Sequence, residues 1–345
     1  MQHTKPTLLV VNPGSKSGRA GELIAETRSL LRTMGIHPRV ETTSRFHSAF
    51  RIVRDAIDKG GFRLVLCLGG DGTFSDVARG VCAAHARREV CIGLLPAGTA
   101  NDVARTFGIP SCEVALARNI RVILDGHTTE LDAGVVDSFD DSGRLMHRKY
   151  FFDSLTWGLS PDILASRNRE RETVERLPVI RNLYKDEALY VSAALRSFFR
   201  SYFVKEDFIA DITVDGKAMR LERLTDLMIK GILVFCGYWI IDPTSKHDDG
   251  LFEIVPFRGR GDWLSKALVR HKLVTNTNQL LDRIGLSSPP PLRGQHIDVQ
   301  LFRPHANLPI RTQADGDEFH HGDRFTIRVL PRHIRLIVPK DYHWI

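Results

Sequence analysis

Short apolar runs that alternate with helical patterns constrain the fold of the N-terminal part most strongly. Four runs are apolar or extended and have the length of buried strands: residues 7–11, 40–42, 63–68 and 90–95. Between them, apolar side chains recur at helical spacing in stretches that begin near Leu23, Ala49 and Phe74. Because strands and helices of this length alternate, we predict a doubly wound α/β domain with a parallel sheet. We expect a ligand site in the loops at the carboxyl ends of its strands.

The pattern changes near residue 128, where extended segments separated by turns begin. They cover residues 128–136, 147–157, 209–214, 227–236, 252–255, 297–302 and 325–329. Helical patterns interrupt them at residues 185–203 and 264–273. This arrangement is typical of antiparallel β structure. We therefore predict two domains, residues 1–128 and residues 129–332.

Charge and cysteine content limit the partners and the compartment. The 48 Lys and Arg residues outnumber the 41 Asp and Glu residues, and the net charge of +7 favours anionic partners such as nucleotides, nucleic acid or an anionic membrane surface. The longest apolar stretch, residues 231–241, is about half of the ~20 residues that a spanning helix needs, so any membrane contact is expected to be peripheral. The five cysteines are scattered without a Cys-x-x-Cys pair, which predicts no disulfide framework, no zinc site and a cytoplasmic location.

The turn after the first strand, residues 12–18, has the sequence Asn-Pro-Gly-Ser-Lys-Ser-Gly. Its small residues can expose backbone N–H groups to a phosphate. It is not a Walker A loop, because the order Gly-x-x-x-x-Gly-Lys-Ser/Thr is missing. By itself the turn is equally compatible with a plain connection between a strand and a helix.

The turn after the third strand, residues 69–73, has the sequence Gly-Gly-Asp-Gly-Thr and opens a helix. Its glycines let the backbone approach a polyphosphate, and the helix N-terminus favours anionic groups. Asp71 does not suit a loop that only binds anions. Its carboxylate either holds a divalent cation or accepts a proton, or it caps the helix.

The turn after the fourth strand, residues 96–102, favours cation binding or proton transfer by Asp71 over helix capping. It has the sequence Pro-Ala-Gly-Thr-Ala-Asn-Asp and again opens a helix. Two neighbouring strand ends therefore each have a Gly-Thr pair and an Asp. Together they form a crevice of backbone donors, hydroxyls and two carboxylates, which suits a Mg-nucleotide.

The motifs Gly-Gly-Asp-Gly-Thr and Pro-x-Gly-Thr-x-Asn-Asp at this interval resemble the diacylglycerol kinase catalytic domain, in the soluble bacterial form related to sphingosine and ceramide kinases. The resemblance implies a C-terminal antiparallel β-sandwich-like domain and a lipid site in the cleft between the domains. It also implies that a last strand near residues 334–338 returns to the first domain, so that residues 333–345 complete the first domain. It also implies ATP as cofactor, with these binding residues: Asn12, Pro13, Gly14, Ser15, Lys16, Gly18, Thr43, Gly69, Gly70, Asp71, Gly72, Thr73, Gly98, Thr99 and Asn101.

The resemblance further implies a structural Mg²⁺ site in the Lys-His-Asp-Asp-Gly-Leu turn at residues 246–251. Asp249 would be the side-chain ligand, and Lys246 and Leu251 would supply carbonyls. Asp102 and Asp132 are similar to family aspartates that link the metal to the site through water. Without the resemblance, residues 248–250 indicate a β-turn, and Asp132 ends a strand.

A further feature of the family is an Asp-Gly-Glu turn whose Glu is the general base. Here the sequence is Asp315-Gly316-Asp317-Glu318, so Asp317 occupies the aligned position and is one methylene shorter. We predict Asp317 as the base and keep Glu318 as the alternative, because geometry rather than acid type decides a base. Asp71 is the second predicted catalytic residue.

The resemblance implies an ATP-dependent kinase that phosphorylates a diacylglycerol-like lipid at a membrane surface, and we expect no nucleic-acid partner. A homodimer is compatible with the sequence. Two other functions remain open: an NAD kinase-like enzyme, which has a similar Gly-Gly-Asp-Gly turn, and a regulatory lipid- or nucleotide-binding protein with weakened activity. The second follows from Asp317 and from the bulky Tyr238-Trp239 pair, where the family commonly has glycines.

Overall fold

The computed structural model of this 345-residue chain describes residues 6–13, 20–44, 48–161, 207–237, 239–258, 262, 292–303, 310–320 and 322–342. The helical patterns predicted at residues 185–203 and 264–273 lie outside the described residues, as do Gly14, Ser15, Lys16, Gly18 and Tyr238.

The N-terminal part alternates strands and helices as predicted. Its elements are β1 (Thr7–Val11), α1 (Ala20–Thr33), β2 (Arg39–Thr42), α2 (Ala49–Gly60), β3 (Leu64–Gly69), α3 (Asp71–Ala83), β4 (Cys91–Pro96), α4 (Asp102–Thr106) and α5 (Cys112–Asp125). The strands are parallel and lie in the order β2-β1-β3-β4.

Helices cover both faces of this parallel sheet, which explains why β1, β3 and β4 are almost continuously apolar. Successive strand residues point to opposite faces. Leu8 and Val65 therefore pack in one core with α2 and α3, whereas Leu9 and Leu66 pack in another with α1 and α5. The carboxyl ends of the strands lie together at one edge of the sheet.

The described residues from 128 onward are mainly β structure. Its elements are β5 (Thr128–Phe139), β6 (Leu145–Phe151), β7 (Ser154–Gly158), β8 (Phe208–Val214), β9 (Lys217–Leu224), β10 (Asp226–Lys230), β11 (Val234–Phe235), β12 (Trp239–Ile240), β13 (Phe252–Phe257), β14 (Leu292–Gly294), β15 (His296–Phe302), β16 (Thr312–Ala314), β17 (Asp317–Phe319) and β18 (Arg324–Ile337).

Two sheets of this part share one core. A six-stranded sheet has the order β14-β13-β10-β7-β16-β17, and its residues Trp157 and Ile229 pack with Ala210 and Ile327 of the larger sheet. The packing confirms the predicted C-terminal antiparallel β-sandwich-like architecture. None of the helices in the described part of the chain is long and apolar enough to cross a membrane.

The long strand β18 connects the sandwich to the parallel sheet. Its first part pairs with β15 and β5, and after an irregularity between Leu330 and Ile334 the residues Arg335–Ile337 pair in parallel with β4. This is the return of the last strand that the family resemblance implies. Because one sheet continues through both parts, the division at residues 128 and 129 stays a prediction.

Two segments predicted as single extended runs are each divided into two strands. The 147–157 run is two strands, β6 and β7, separated at Phe152 and Asp153, and the 227–236 run is β10 and β11, separated at residues 231–233. Asp153 lies at the first of these breaks and Lys230 ends β10 directly before the second, and the two side chains form an ion pair with 2.7 Å between the lysine Nζ and a carboxylate oxygen.

Candidate active site

The turns after β3 and β4 touch through their glycines. A Cβ atom added to Gly98 would lie 2.5 Å from the Gly70 Cα, and one added to Gly70 would lie 2.9 Å from the Gly98 Cα. Real Cβ atoms do not approach other atoms so closely. Glycine at both positions therefore lets two backbone turns form one surface, as the sequence predicted.

Asn101 and Asp71 fasten the two turns together. Asn101 has a left-handed backbone with a φ of 55°, a conformation in which Asn is enriched. Its side-chain oxygen accepts a hydrogen bond of 2.9 Å from the Gly98 N–H, and its backbone N–H donates one of 2.7 Å to the Asp71 carboxylate. The Asp71 side chain thus binds the neighbouring turn and does not act only as the cap of its own helix.

The first turn joins the same edge through Asn12. The Asn12 side-chain amide donates a hydrogen bond of 3.0 Å to the Thr73 hydroxyl. Thr43 lies at the end of the adjacent strand, where its N–H donates to the Val11 carbonyl at 2.9 Å. Pro13, Gly72 and Thr99 are exposed at this edge.

Asp102 lies below this surface and is buried. Its carboxylate accepts hydrogen bonds from the backbone N–H groups of Cys236, at 2.9 Å, and Gly237. Burial raises the pKa of Asp102 well above its usual range, and the negative charges of Asp153 and Asp71 add to that effect. Asp102 therefore holds a segment from the second half of the chain against α4.

The carboxylate of Asp71 is close enough to that of Asp153 to respond to its charge. Burial, followed by the charge of Asp153, raises the pKa of Asp71 to about 6. The charge of Asp153 also raises the pKa of Asp102 and of Asp315, although burial is the larger cause at both residues. Lys230 is the cation that pairs with Asp153. Neither Asp153 nor Lys230 was among the residues predicted from sequence.

The predicted base lies on a tight hairpin between β16 and β17. Asp315 and Gly316 have φ values of 51° and 78°, which is the geometry of a type I′ turn. The buried Asp315 carboxylate accepts hydrogen bonds from the N–H groups of Phe152, at 3.0 Å, and Asp153, at 2.8 Å. It also accepts one from the Ser75 hydroxyl of α3. This hairpin is therefore fixed to the helix that begins at Asp71.

Asp317 and Glu318 point in different directions. The Asp317 carboxylate accepts hydrogen bonds from Arg79, at 3.0 Å, and Lys149, at 3.2 Å. Glu318 lies 3.9 Å from Arg311 instead. Because Arg79 is eight residues from Asp71, the Asp317 contact lies about 12 Å along α3 from the glycine turn. Asp317 thus faces α3 but shares no direct contact with Asp71 among the described residues.

The predicted metal turn is organised by Asp132. Its buried carboxylate accepts hydrogen bonds of 2.6 Å each from the N–H groups of Gly250 and Arg332. Asp249, which is exposed, accepts one of 3.1 Å from the Leu251 N–H. Burial raises the pKa of Asp132 to about 6, and the charges of Asp249 and Asp248 add to the shift.

This turn fits a hard divalent cation by its chemistry. Its donors are carboxylate and carbonyl oxygens, which Mg²⁺ and Ca²⁺ prefer, and the charges of Asp248 and Asp249 act on Asp132. Within the described ranges, no three His, Cys, Asp or Glu side chains are close enough to hold a metal alone. The carbonyls of Lys246 and Leu251 would therefore be needed. Asp132 contacts this turn, whereas Asp102 lies at the end of the turn after β4 and contacts residues 236 and 237.

Comparison with known proteins identifies the family. A family profile described as diacylglycerol kinase catalytic domain matches residues 6–136. A Salmonella typhimurium protein named "Probable lipid kinase YegS" is 32% identical over 348 residues, which cover 99% of this chain and 98% of the relative. The chain belongs to the diacylglycerol kinase catalytic domain family of lipid kinases.

The fold of this lipid kinase is also similar to solved structures. A diacylglycerol kinase from Bacillus anthracis has a TM-score of 0.68 at 17% identity and covers 99% of this chain and 100% of that chain. Yeast NADH kinase complexed with NADH has a TM-score of 0.53 at 10% identity, covering 98% of this chain and 85% of that chain. At these identities the likeness concerns the fold alone.

The lipid kinase therefore brings most of its described ATP-binding candidates to one edge of the sheet. The metal turn with Asp132 and the hairpin with Asp317 are separate from that edge. The residues that sequence reasoning missed had one visible signal: Lys230 is a lysine inside an apolar run, and a buried lysine needs a charged partner.

Proposed function

We propose that this lipid kinase transfers the γ-phosphoryl group of ATP to a free hydroxyl of a diacylglycerol-like lipid, giving a phosphatidic acid-like product. The contact between Gly70 and Gly98, fastened by the hydrogen bond from Asn101 to Asp71, is the observation that supports this most strongly. It creates a surface of backbone and hydroxyl groups at strand ends, where α/β sheets bind ligands. Phosphoryl transfer depends mainly on such positioning and on charge stabilisation.

ATP would lie along the three strand-end turns. The turn that begins at Asn12 and the turns at Gly70 and Gly98 would bind the phosphates through backbone N–H groups, and Thr73 and Thr99 would add hydroxyls. Asp71 would lie beside the phosphates. Mg²⁺, when bound, neutralises charge on the transferred group. Mg²⁺ would also occupy the turn at residues 246–251, where Lys246, Asp249 and Leu251 would be its ligands and Asp132 orders the backbone.

The acceptor lipid would enter between the glycine turns and the Asp317 hairpin. Asp317 would accept the proton of the lipid hydroxyl, held in place by Arg79 and Lys149. The distance of about 12 Å along α3 between Asp71 and Arg79 leaves room for the transferred group and the head of the lipid. The net charge of +7 supports peripheral contact with an anionic membrane from the cytoplasmic side.

Incubation with labelled ATP and a panel of acceptors tests this proposal. The panel contains diacylglycerol, monoacylglycerol, sphingosine, ceramide and NAD, and a reaction without acceptor measures ATP hydrolysis. We expect label in the diacylglycerol product. Label in NAD would favour the NAD kinase-like alternative. Binding of ATP without transfer to any acceptor would favour a regulatory binding protein.

A further inference from the structure

The ion pair between Lys230 and Asp153 is buried beside the glycine turns. Lys230 has 3% of its surface exposed, and its Nζ lies 2.7 Å from an Asp153 carboxylate oxygen. The same Nζ donates a hydrogen bond of 2.8 Å to the Val234 carbonyl. It also lies 5.2 Å from the centre of the Phe235 ring. A buried ammonium with this set of partners is fixed in one position.

Two partners of Lys230, Asp153 and Val234, connect it to the candidate active site. Asp153 lies close enough to Asp71 and Asp102 for its charge to act on both carboxylates. Val234 begins a segment, residues 234–237, that binds α4. In this segment the Val234 N–H donates to the Thr106 hydroxyl at 3.2 Å, and the N–H groups of Cys236 and Gly237 donate to Asp102.

The charges explain why this position needs a cation. Asp71, Asp102 and Asp153 are three carboxylates in one buried region, and like charges repel strongly where water is excluded. The ammonium of Lys230 offsets one of these charges and, through Val234, holds the segment that binds Asp102. An apolar side chain of the same length, such as methionine, would do neither.

We propose that Lys230 is a positioning residue of the phosphoryl-transfer site: its buried ammonium joins Asp153 to the 234–237 segment and thereby keeps Asp71 and Asp102 in place at the two strand ends. This inference rests on the proposed function for its effect on turnover. Its structural part, the order of the 234–237 segment, does not depend on which substrate the enzyme uses.

Lys230→Met tests both parts, because methionine keeps the length and removes the charge. We expect turnover to fall about 10- to 100-fold while the KM for ATP stays within about threefold, since a small displacement of reacting groups slows the chemical step more than it weakens binding. We also expect faster amide hydrogen exchange in peptides that cover residues 234–237.

Arg148→Met is the matched control. Arg148 pairs with the buried Asp137, at 2.6 Å, so this variant also leaves a buried carboxylate without its cation. We expect it to lower the thermal midpoint without changing turnover or exchange at residues 234–237. Equal effects of the two variants on turnover would reduce Lys230 to a general stabilising role and overturn the inference.

The double variant Lys230→Gln/Asp153→Asn separates position from charge and covers the case in which Lys230→Met does not fold. An amide pair can hydrogen-bond without unpaired charge. We expect slow exchange at residues 234–237 and turnover within about tenfold of wild type. A double variant with slow exchange but with turnover as low as that of Lys230→Met would mean that the ammonium acts by its charge on the substrate, which contradicts a positioning role. If Lys230→Met does not fold, slow exchange with loss of turnover in the double variant has the same meaning.

The two proposals fail differently. Wild-type turnover and wild-type exchange in Lys230→Met would overturn the inference and leave the proposed function intact. A wild-type enzyme that transfers phosphate to no lipid would overturn the proposed function, and the exchange measurement would still decide whether Lys230 orders the 234–237 segment.

Discussion

The backbone N–H of Asn101 donates a hydrogen bond of 2.7 Å to the carboxylate of Asp71, and this bond joins the turn after β3 to the turn after β4. The two turns come from motifs about 30 residues apart, and each alone is compatible with a simple strand-to-helix connection. Their junction gives Asp71 a fixed place beside a surface of exposed backbone groups.

The close approach of the glycine turns predicts a strong effect of Gly98→Ala. The new Cβ would lie 2.5 Å from the Gly70 Cα, so the turns must separate. We expect the KM for ATP to rise at least about tenfold in steady-state assays. Gly21→Ala is the control, because a Cβ there has nothing within 4 Å. An unchanged KM in Gly98→Ala would show that ATP does not use this junction.

The two acids of the hairpin predict opposite outcomes for two neutral variants. Asp317→Asn should lower turnover about 10²- to 10⁴-fold with ATP binding little changed, the usual range for loss of a general base. Asp317→Glu should keep measurable activity. Glu318→Gln should turn over normally, because Glu318 lies towards Arg311 and not towards α3.

A single lipid assay of these variants decides between the two bases. Loss of turnover in Glu318→Gln with normal turnover in Asp317→Asn would mean that the alignment of this turn is shifted by one residue. If both variants remain active, the base lies elsewhere, and Asp71 is the next candidate.

Local pattern was sufficient to predict the edge of the sheet. The strand at Leu64–Gly69 is apolar on both faces, and the turn that follows it begins a helix, so both the parallel sheet and the position of Asp71 follow from short-range features. The same holds for β4 and Gly98. Neighbouring parallel strands place these turns together whatever the rest of the chain does.

Long-range pairing was not predictable in this way. Asp153 and Lys230 are 77 residues apart. The apolar residues on either side of each one predict a single uninterrupted strand. Strand β9 was missed for another reason: it has four exposed charged residues, and its burial follows no clear alternation. A sheet edge in contact with water does not need the apolar pattern that identifies buried strands.

His333 predicts part of the acid sensitivity of folding. Burial, together with the charges of Arg87 and Arg88, lowers the pKa of His333 to about 4. The unfolded chain, with a histidine pKa of about 6.5, therefore binds a proton that the folded chain does not bind between these values. This contribution to stability is present above pH ~6.5 and is lost as the pH falls through ~4.

Denaturant unfolding of His333→Gln between pH 4 and pH 7 measures this contribution. We expect the variant to lose about 2 kcal/mol less stability than wild type over this range, after allowance for the part of the ring in contact with water. The exposed His37, changed to Gln, is the control. Parallel curves for wild type and His333→Gln would refute the assignment.

The net charge predicts how the enzyme reaches its lipid. Vesicles with anionic lipid should sediment more protein than neutral vesicles of the same acyl chains, and added salt should release it, because exposed charges are screened beyond about 8 Å at physiological ionic strength. Sedimentation that is independent of both lipid charge and salt would remove electrostatic attraction from the account.

The rate of γ-phosphoryl transfer from labelled ATP to diacylglycerol vesicles, compared between wild type and Asp71→Asn, tests the central claim most directly. Asparagine keeps the acceptor for the Asn101 N–H and removes a charge that burial and Asp153 disfavour, so the variant should unfold at the same temperature or higher. We predict that wild type and the surface control Asp55→Asn transfer phosphate and that Asp71→Asn is at least about 100-fold slower. Turnover of Asp71→Asn near that of wild type would mean that Asp71 only joins the two turns, and it would contradict the proposed site.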